Sequence, residues 1–252
     1  MPKLCGRDLA TSQREEGSLR ALIKMADEKF RLFEGVSRLG VAVSGGADSM
    51  SLLHALLNIN SIDCAFSSIV PIYVSQYRNA SKQQQLSDYI SEKYNLDLIV
   101  VGADNAEDAN RLIEMGKAPC RACAPKRARA LSDVATRLNL DAIALGHHLD
   151  DAIATMTMNL FHRGRPTPLR PAVRRRGTNE EVPTLRPMIL ASKATILQTS
   201  PVPAAGLFSC GVCDQAAGER QLHTEFAQQV MRQHPITELK LREFMIDRFG
   251  RA

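Results

Sequence analysis

Short apolar segments alternate with longer helical ones over much of this chain, and the alternation constrains the fold more than any other feature. Apolar residues recur at helical spacing before the first apolar segment and again after each segment. The predicted strands are "VAV" at 41–43, "SIVPIYVS" at 68–75, "LDLIVVGA" at 96–103 and the beginning of "DAIALGHHLDD" at 141–151. Strands that alternate with helices in this way predict an α/β fold, a doubly wound parallel sheet with helices on both faces.

The chain divides into three predicted parts around this region. Residues 1–36 form a helical amino-terminal extension, residues 37–190 form the α/β domain, and residues 191–252 form a Cys-bearing, helical carboxyl-terminal segment. Within the domain, Pro71 predicts an edge position or a bulge for its strand, because proline cannot donate to a ladder. The arginine- and proline-rich stretch from 163 to 187 predicts a loop or a loosely paired hairpin.

The composition excludes several classes of protein. No apolar run approaches the roughly 18 residues of a membrane span. The amino terminus, "MPKLCGRDLATSQREE", lacks the apolar core of a secretory signal, so we expect a cytoplasmic protein with no membrane partner. Aromatic residues make up 5% of the chain and tryptophan is absent, which argues against an extensive base-stacking surface.

The first predicted strand ends abruptly in "SGGADS", and a helical pattern follows at once. Gly45 and Gly46 allow the backbone to approach a ligand closely and to direct N–H groups at an anion. Ser44 and Ser49 offer hydroxyl groups to phosphate oxygens, and Asp48 offers a carboxylate that would hold Mg²⁺ or fix the loop. Asp48 or Ser49 is expected to begin the helix. A plain Gly-Gly turn is the simpler alternative, but the hexapeptide between a strand and a helix favours a phosphate site.

A second polar cluster, "GHHLDD", follows the fourth predicted strand. The carboxyl ends of parallel strands share one edge of the sheet, so we expect this cluster to lie beside "SGGADS". Asp150 and Asp151 are candidates for binding Mg²⁺ or polarising a base. Gly146, His147 and His148 are candidates for contact with phosphate or substrate. One histidine at such a position is more often a packing residue, but two histidines followed by two acids favour a functional role.

Four of the six cysteines form two Cys-x-x-Cys pairs, "CRAC" and "CGVC". Thiolates at this spacing can ligate one metal, so Cys120 with Cys123 and Cys210 with Cys213 predict a zinc ion or an iron–sulfur cluster. Two reduced structural pairs without a metal are the simpler alternative. Because the pairs lie far apart in the chain, a joint site has to be assembled by the fold.

The order of these motifs resembles one family. "SGGADS" is similar to the SGGxDS pyrophosphate loop of the adenine-nucleotide α-hydrolase superfamily, the N-type ATP pyrophosphatases. Six motifs match, in order, the layout of the tRNA 2-thiocytidine and 2-thiouridine synthetases: "SGGADS", "CRAC", "ALGHHLDD", "MNLFHRG", "LRPM" and "SCGVCDQ". The resemblance runs from about Gly40 to Arg220. It implies an enzyme that transfers sulfur to C2 of a pyrimidine in tRNA at the expense of ATP, with 2-thiocytidine in the anticodon loop as the expected product.

The resemblance also implies cofactors and the residues that bind them. It implies that the phosphates of ATP and Mg²⁺ are bound by Ser44, Gly45, Gly46, Asp48 and Ser49. To these we add, from their place at the strand ends, Gly146 and His147 as candidate ATP-binding residues and Asp48, Asp150 and Asp151 as candidate catalytic residues. An iron–sulfur cluster of the [4Fe-4S] type would be held by Cys120, Cys123 and Cys210, with Cys213 as a spare or alternative ligand.

The implied partners are tRNA and a sulfur donor, either a cysteine desulfurase or free sulfide, and a homodimer is the expected assembly. Within the arginine-rich stretch, Arg174, Arg175 and Arg176 are candidates for contact with RNA phosphates. A solvated basic loop without a partner is the simpler alternative, and the neighbouring motifs favour RNA.

The sequence departs from the family pattern at one position of the loop. The family loop is usually Ser-Gly-Gly-Lys-Asp-Ser, but Ala47 stands here in place of the lysine, which would contact phosphate. Two alternatives to a tRNA sulfurtransferase follow. One is thionation of a small molecule or a free nucleobase by the same chemistry. The other is a non-catalytic nucleotide- or metal-binding sensor that kept the fold and lost turnover.

Overall fold

The structure is a computed structural model that describes residues 18–75, 80–103, 106–115, 120–173, 182–207, 219–234 and 236–250. The helices in these ranges are α1 (Leu19–Phe30), α2 (Ala47–Asp63), α3 (Ala80–Tyr94), α4 (Ala106–Glu114), α5 (Cys120–Arg137), α6 (Leu149–Arg163), α7 (Lys193–Gln198), α8 (Glu219–Gln233) and α9 (Ile236–Phe249). The strands are β1 (Arg38–Ala42), β2 (Ser68–Ser75), β3 (Ile99–Gly102), β4 (Ala142–Ala144), β5 (Ala172–Val173) and β6 (Thr184–Leu185).

The strands form one sheet in the order β3-β2-β1-β4-β6-β5. Neighbouring strands run parallel, except that β5 is antiparallel to β6 at one edge. From β1 the chain adds β2 and β3 on one side and then crosses to β4 on the other side of β1. The winding direction therefore switches between β1 and β4, and in open α/β sheets a ligand crevice lies at the carboxyl ends of the strands that flank such a switch.

Apolar side chains cover both faces of the sheet. On one face, Leu39 and Val41 of β1 pack in the same cluster as Leu53 of α2. On the other face, Ile143 of β4 packs in the same cluster as Val134 of α5. A further apolar cluster joins α6, α8 and α9 to α1. The predicted doubly wound α/β fold with helices on both faces is confirmed.

The prediction that Pro71 marks an edge strand or a bulge is wrong. Strand β2 lies between β1 and β3, and its register with β1 is unbroken. The carbonyl of Ile72 accepts a hydrogen bond from the N–H of Val43 at 2.9 Å, so Ile72 is directed at β1 and Pro71 at the opposite side. Pairing with β3 begins only where Ile72 lies opposite Ile99. The missing N–H of Pro71 therefore removes no hydrogen bond from the ladder.

Three boundaries refine the predicted elements. Helix α2 begins at Ala47 with Gly46 as its N-cap, so Asp48 lies in the first turn rather than at the cap. The apolar pattern predicts this helix only over 127–138, but helix α5 begins at Cys120, so "CRAC" lies in its first turn. The antiparallel pairing of β5 with β6 confirms the predicted hairpin, whose connecting residues 174–181 lie outside the described ranges.

Two predictions concern the chain as a whole. The division into three parts stays a prediction; helix α1 packs Leu22 and Ile23 into the same apolar cluster as β1 and α2. Within the described ranges, no helix has both the length and the apolar character that crossing a membrane requires.

Candidate functional site

The "SGGADS" segment joins β1 to α2 at the carboxyl edge of the sheet. Gly45 has a φ angle of 80°, in the left-handed region that favours glycine. The hydroxyl of Ser49 holds the loop in shape, because it accepts a hydrogen bond from the N–H of Ser44 at 3.0 Å and donates to the carbonyl of Gly46 at 3.0 Å. Ser49 is buried, whereas Ser44 is exposed. The loop is thus preformed around the amino terminus of α2, whose first N–H groups have no partner within the helix.

The segment after β4 touches this loop directly. A Cβ atom on Gly146 would lie 3.1 Å from the backbone nitrogen of Ser49 and 3.2 Å from the carbonyl carbon of Asp48. Glycine at this position therefore permits the close approach of the two segments. The structure brings together the two polar clusters that flank the switch point, and His147 lies partly exposed beside them.

His148 is the centre of a cluster of charged groups between the two segments. Its side chain is buried, with Nδ1 3.3 Å from Asp150 Oδ2 and Nε2 3.6 Å from Asp151 Oδ2. Nε2 also lies 3.8 Å from Asp48 Oδ2, in the "SGGADS" segment, which we call the phosphate loop after its predicted ligand. Burial opposes the charged form of the imidazole, but the nearby carboxylates of Asp150, Asp48 and Asp151 outweigh it and raise the pKa of His148 to about 10. The imidazole is therefore protonated at neutral pH.

Two of these carboxylates are also bound by Lys193. The N–H of Lys193 donates a hydrogen bond to Asp150 Oδ2 at 2.9 Å, and its ammonium forms an ion pair with Asp48. Asp150 is buried, whereas the side chains of Asp48 and Asp151 keep 34% and 20% of their surface exposed. Burial opposes ionisation of Asp48, but its contacts with His148 and Lys193 prevail and lower its pKa. Asp48 and Asp151 are therefore the carboxylates that a ligand can reach.

Sequence reasoning missed Lys193. It is the first residue of α7, a helix capped by the side chain of Ser192. A cation at a helix amino terminus opposes the helix dipole, and this unfavourable placement is the one local signal that could have drawn attention to the residue.

A third segment packs against the phosphate loop. The N–H of Leu207 donates to the carbonyl of Gly45 at 2.8 Å. A Cβ atom on Gly206, whose φ is 79°, would lie 2.7 Å from that carbonyl oxygen and 2.8 Å from Gly46 Cα. Further back, the hydroxyl of Tyr89 donates to the carbonyl of Pro201 at 2.8 Å. This segment leads towards the second cysteine pair, and Leu207 is the last described residue before that pair.

The cysteines are described only in part. Helix α5 starts at Cys120, and the side chain of Cys123 is buried. Because α5 ends shortly before β4 begins, its 18 residues, about 27 Å of helix, run back so that its first turn lies towards the carboxyl edge of the sheet. Cys210 and Cys213 lie outside the described residues. In the described part of the chain, no group of three or more His, Cys, Asp or Glu residues is arranged to hold a metal ion.

The arginine stretch is also described only in part. Arg163, Arg165 and Arg170 are exposed, and the carbonyl of Arg170 accepts a hydrogen bond from the buried guanidinium of Arg186 at 2.7 Å. The candidate RNA contacts at 174, 175 and 176 lie outside the described residues. Their role stays a prediction.

Comparison with known proteins identifies the class to which this architecture belongs. Residues 15–202 match the family model of the PP-loop domain, an ATP-binding family. The match spans most of the chain, so this protein belongs to the PP-loop domain family. The resemblance inferred from the "SGGADS" motif is confirmed.

Individual relatives give more specific comparisons than the family model does. The tRNA-cytidine(32) 2-sulfurtransferase of Nitrosomonas eutropha is 28% identical over 218 residues, which cover 86% of this chain and 69% of that protein. A protein of the same name from Acinetobacter baumannii is also 28% identical, over 86% of this chain and 71% of its own length. Among solved structures, the U34-tRNA thiolase NcsA from Methanococcus maripaludis, which has its [4Fe-4S] cluster, matches with a TM-score of 0.63 and 16% identity. That match covers 92% of this chain and 81% of NcsA, and it concerns the fold.

The close approach of Gly206 to the phosphate loop predicts that Gly206→Ala weakens ATP binding at least about tenfold, because the methyl group collides with loop backbone. The matched control is Gly164→Ala. Gly164 also has a positive φ, 62°, but a Cβ there meets nothing within 4 Å. Titration calorimetry with ATP and Mg²⁺ compares the two variants, and equal affinities would contradict this role of Gly206.

The raised pKa of His148 predicts a pH dependence of stability. The native pKa of about 10 exceeds the ordinary 6.5, so the stabilisation is fully present below pH 6.5 and is lost as the pH rises through about 10. Urea denaturation at pH 7 and pH 9.5 should show the free energy of unfolding falling in the wild type, by no more than the roughly 1.4 kcal/mol per pH unit that one proton allows. The fall should be smaller in His148→Gln, whereas a variant of the exposed His234, His234→Gln, should keep it. Identical falls in all three proteins would refute the assignment.

Proposed function

We propose that this protein is an ATP-dependent tRNA sulfurtransferase that converts a cytidine of the anticodon loop to 2-thiocytidine. One observation carries the proposal: the phosphate loop, the "GHHLDD" segment and the segment that leads to the second cysteine pair are in direct contact at the switch point of the sheet. The names of the two sulfurtransferase relatives support tRNA cytidine as the acceptor.

The proposed reaction has two steps. The C2 oxygen of cytosine is a poor leaving group, so it first attacks the α-phosphorus of ATP, which forms an O-adenylate and releases pyrophosphate. Sulfur at the oxidation level of sulfide then attacks C2, and the C2–O bond breaks with release of AMP. No oxidant or reductant is consumed, and the carbonyl oxygen leaves as part of AMP.

The described residues suit the first step. The exposed hydroxyl of Ser44 and the N–H groups at the start of α2 can donate to phosphate oxygens, since Gly45 and Gly46 carry no side chain that blocks approach. The partly exposed carboxylates of Asp48 and Asp151 are the groups that would hold Mg²⁺, the ion that screens the charge of ATP. We assign buried Asp150 a positioning role, since it holds His148 and the backbone of α7.

The residues present also suit an iron–sulfur cluster. "CRAC" begins α5, whose first turn lies towards the same edge as the phosphate loop, and Cys123 is buried there, away from bulk water. The segment before Cys210 is hydrogen-bonded to the phosphate loop itself. We propose that Cys120, Cys123 and Cys210 hold a [4Fe-4S] cluster and that Cys213 is the spare cysteine. When bound, the cluster would supply the sulfide that replaces the C2 oxygen.

The proposal extends to partners. The exposed Arg163, Arg165 and Arg170, together with the stretch 174–176, offer positive charge for the phosphates of tRNA. The sulfur comes from free sulfide, or from the persulfide of a cysteine desulfurase after a thiol reductant has released it as sulfide. The protein acts as a homodimer in the cytoplasm, where its tRNA substrate is modified.

Mass spectrometry of tRNA nucleosides tests the function. We expect 2-thiocytidine to be absent from a strain that lacks this protein and to return when the wild-type gene is supplied. Asp151→Asn keeps the shape of the side chain and removes its charge, so it should restore the nucleoside at least about tenfold less efficiently. An unchanged nucleoside profile in the deletion strain would contradict tRNA thiolation and favour a small-molecule acceptor.

The cysteine assignment predicts the metal content. Anaerobically purified protein should be brown and contain about four irons per chain. Cys120→Ala, Cys123→Ala and Cys210→Ala should lose both iron and thiolation, whereas Cys213→Ala should keep the iron and much of the activity. A colourless protein with one zinc per chain, lost equally in all four variants, would replace the cluster by a structural zinc site.

A further inference from the structure

The phosphate loop lacks a cation of its own. Its residues between Val43 and Met50 are serine, glycine, alanine and aspartate, and the position of Ala47 is filled by a buried methyl group. ATP carries several negative charges, and sites that transfer its phosphates supply positive groups to the oxygens on which charge develops. The carboxylate of Asp48, which belongs to the loop itself, would repel the phosphate oxygens.

Lys193 brings a cation to this loop from a remote part of the chain. Its ammonium forms an ion pair with Asp48, in the first turn of α2. Its side chain keeps 26% of its surface exposed, so the ammonium lies at the surface of the site rather than in the core. Its backbone N–H donates a hydrogen bond to the buried carboxylate of Asp150.

Lys193 combines a fixed backbone with a mobile side-chain charge. The hydrogen bond from the N–H of Lys193 to Asp150 anchors the main chain, and Asp150 is in turn 3.3 Å from His148. The lysine stem has four rotatable bonds beyond that anchor, so the ammonium can turn from the carboxylate to another anion nearby without any backbone movement. An ion pair that is partly exposed contributes little to stability, so exchanging its partner costs little.

We propose that Lys193 binds the β- or γ-phosphate of ATP and is the cationic phosphate contact that the loop itself lacks. The assignment rests on the proposed function. It gives the ammonium two partners in turn: Asp48 in the ligand-free protein and a phosphate oxygen when ATP is bound. Ala47 then leaves adenylation intact, because the charge is supplied from α7.

Binding measurements separate this role from a purely structural one. Titration calorimetry with ATP, inorganic pyrophosphate and AMP, each with Mg²⁺, is performed on the wild type, Lys193→Ala, Lys193→Gln and Lys193→Arg. We expect Lys193→Ala and Lys193→Gln to lose at least about tenfold in affinity for ATP and pyrophosphate, and less than about twofold for AMP. Lys193→Arg should stay within about threefold of the wild type, because it keeps the charge. None of these changes removes the N–H that Asp150 binds.

The matched control is Lys24→Ala. Lys24, in α1, forms an ion pair at 2.6 Å with Asp63, the last residue of α2. This variant therefore also removes the lysine partner of an aspartate of α2, but at the end of the helix far from the loop. It should bind all three ligands as the wild type does. Unchanged ATP affinity in Lys193→Ala, or an equal loss for AMP and ATP, would overturn the assignment. A wild-type protein that binds no ATP would instead overturn the proposed function, and this assignment with it.

Discussion

A buried, protonated histidine among three carboxylates joins the two segments that flank the switch point. His148 lies at the start of α6, and its ring contacts Asp48 across the crevice and Asp150 and Asp151 on its own segment. Its backbone N–H also donates to Asp151 Oδ2 at 3.1 Å. A charge buried this deeply is tolerated only when it is paired, and here both ring nitrogens face carboxylates. Removing any one of these groups would leave the others poorly compensated.

The charge balance of this cluster has a functional consequence. Three carboxylates face two cations, His148 and Lys193, so the cluster is formally negative by one charge. In the proposed function, a site with this balance would attract Mg²⁺ and would repel ATP less strongly than three unpaired carboxylates. The partly exposed Asp48 and Asp151 lie on the open side of the cluster, and buried Asp150 lies beneath. In the proposed function, the two exposed carboxylates bind the ligand and the buried one positions His148 and α7.

Close backbone contacts set the shape of the site around this cluster. Gly146 and Gly206 approach the phosphate loop from two sides, and at either position a Cβ atom would lie within 3.2 Å of loop backbone. The loop is also tied internally by the hydroxyl of Ser49. A loop held in this way loses little conformational entropy when a nucleotide binds, which favours affinity. The loop also accepts a hydrogen bond from Leu207, in the segment before Cys210. In the proposed function, this contact keeps the sulfur source close to the bound nucleotide.

Much of the fold and part of the site could be predicted because they depend on local pattern. Alternating strands and helices specify a parallel sheet, and its topology puts "SGGADS" and "GHHLDD" at one edge. The predicted bounds of strand β2, 68–75, agree with the structure at every residue, since its apolar run has a clear beginning and end. The order of the motifs was enough to indicate the PP-loop domain family.

What the sequence by itself determined were the elements, the glycine-rich loop and the acidic candidates at the ends of strands. Tertiary structure alone decided that Pro71 is harmless inside the sheet, because β3 begins just beyond it. It alone made His148 a strong base and brought Lys193 to Asp48. The contacts of Asp48 with His148 and Lys193 join residues far apart in the chain, and the order of the strands brings such residues together. The burial of His148, which forces its charge to be paired, is likewise set by the fold and not by local pattern.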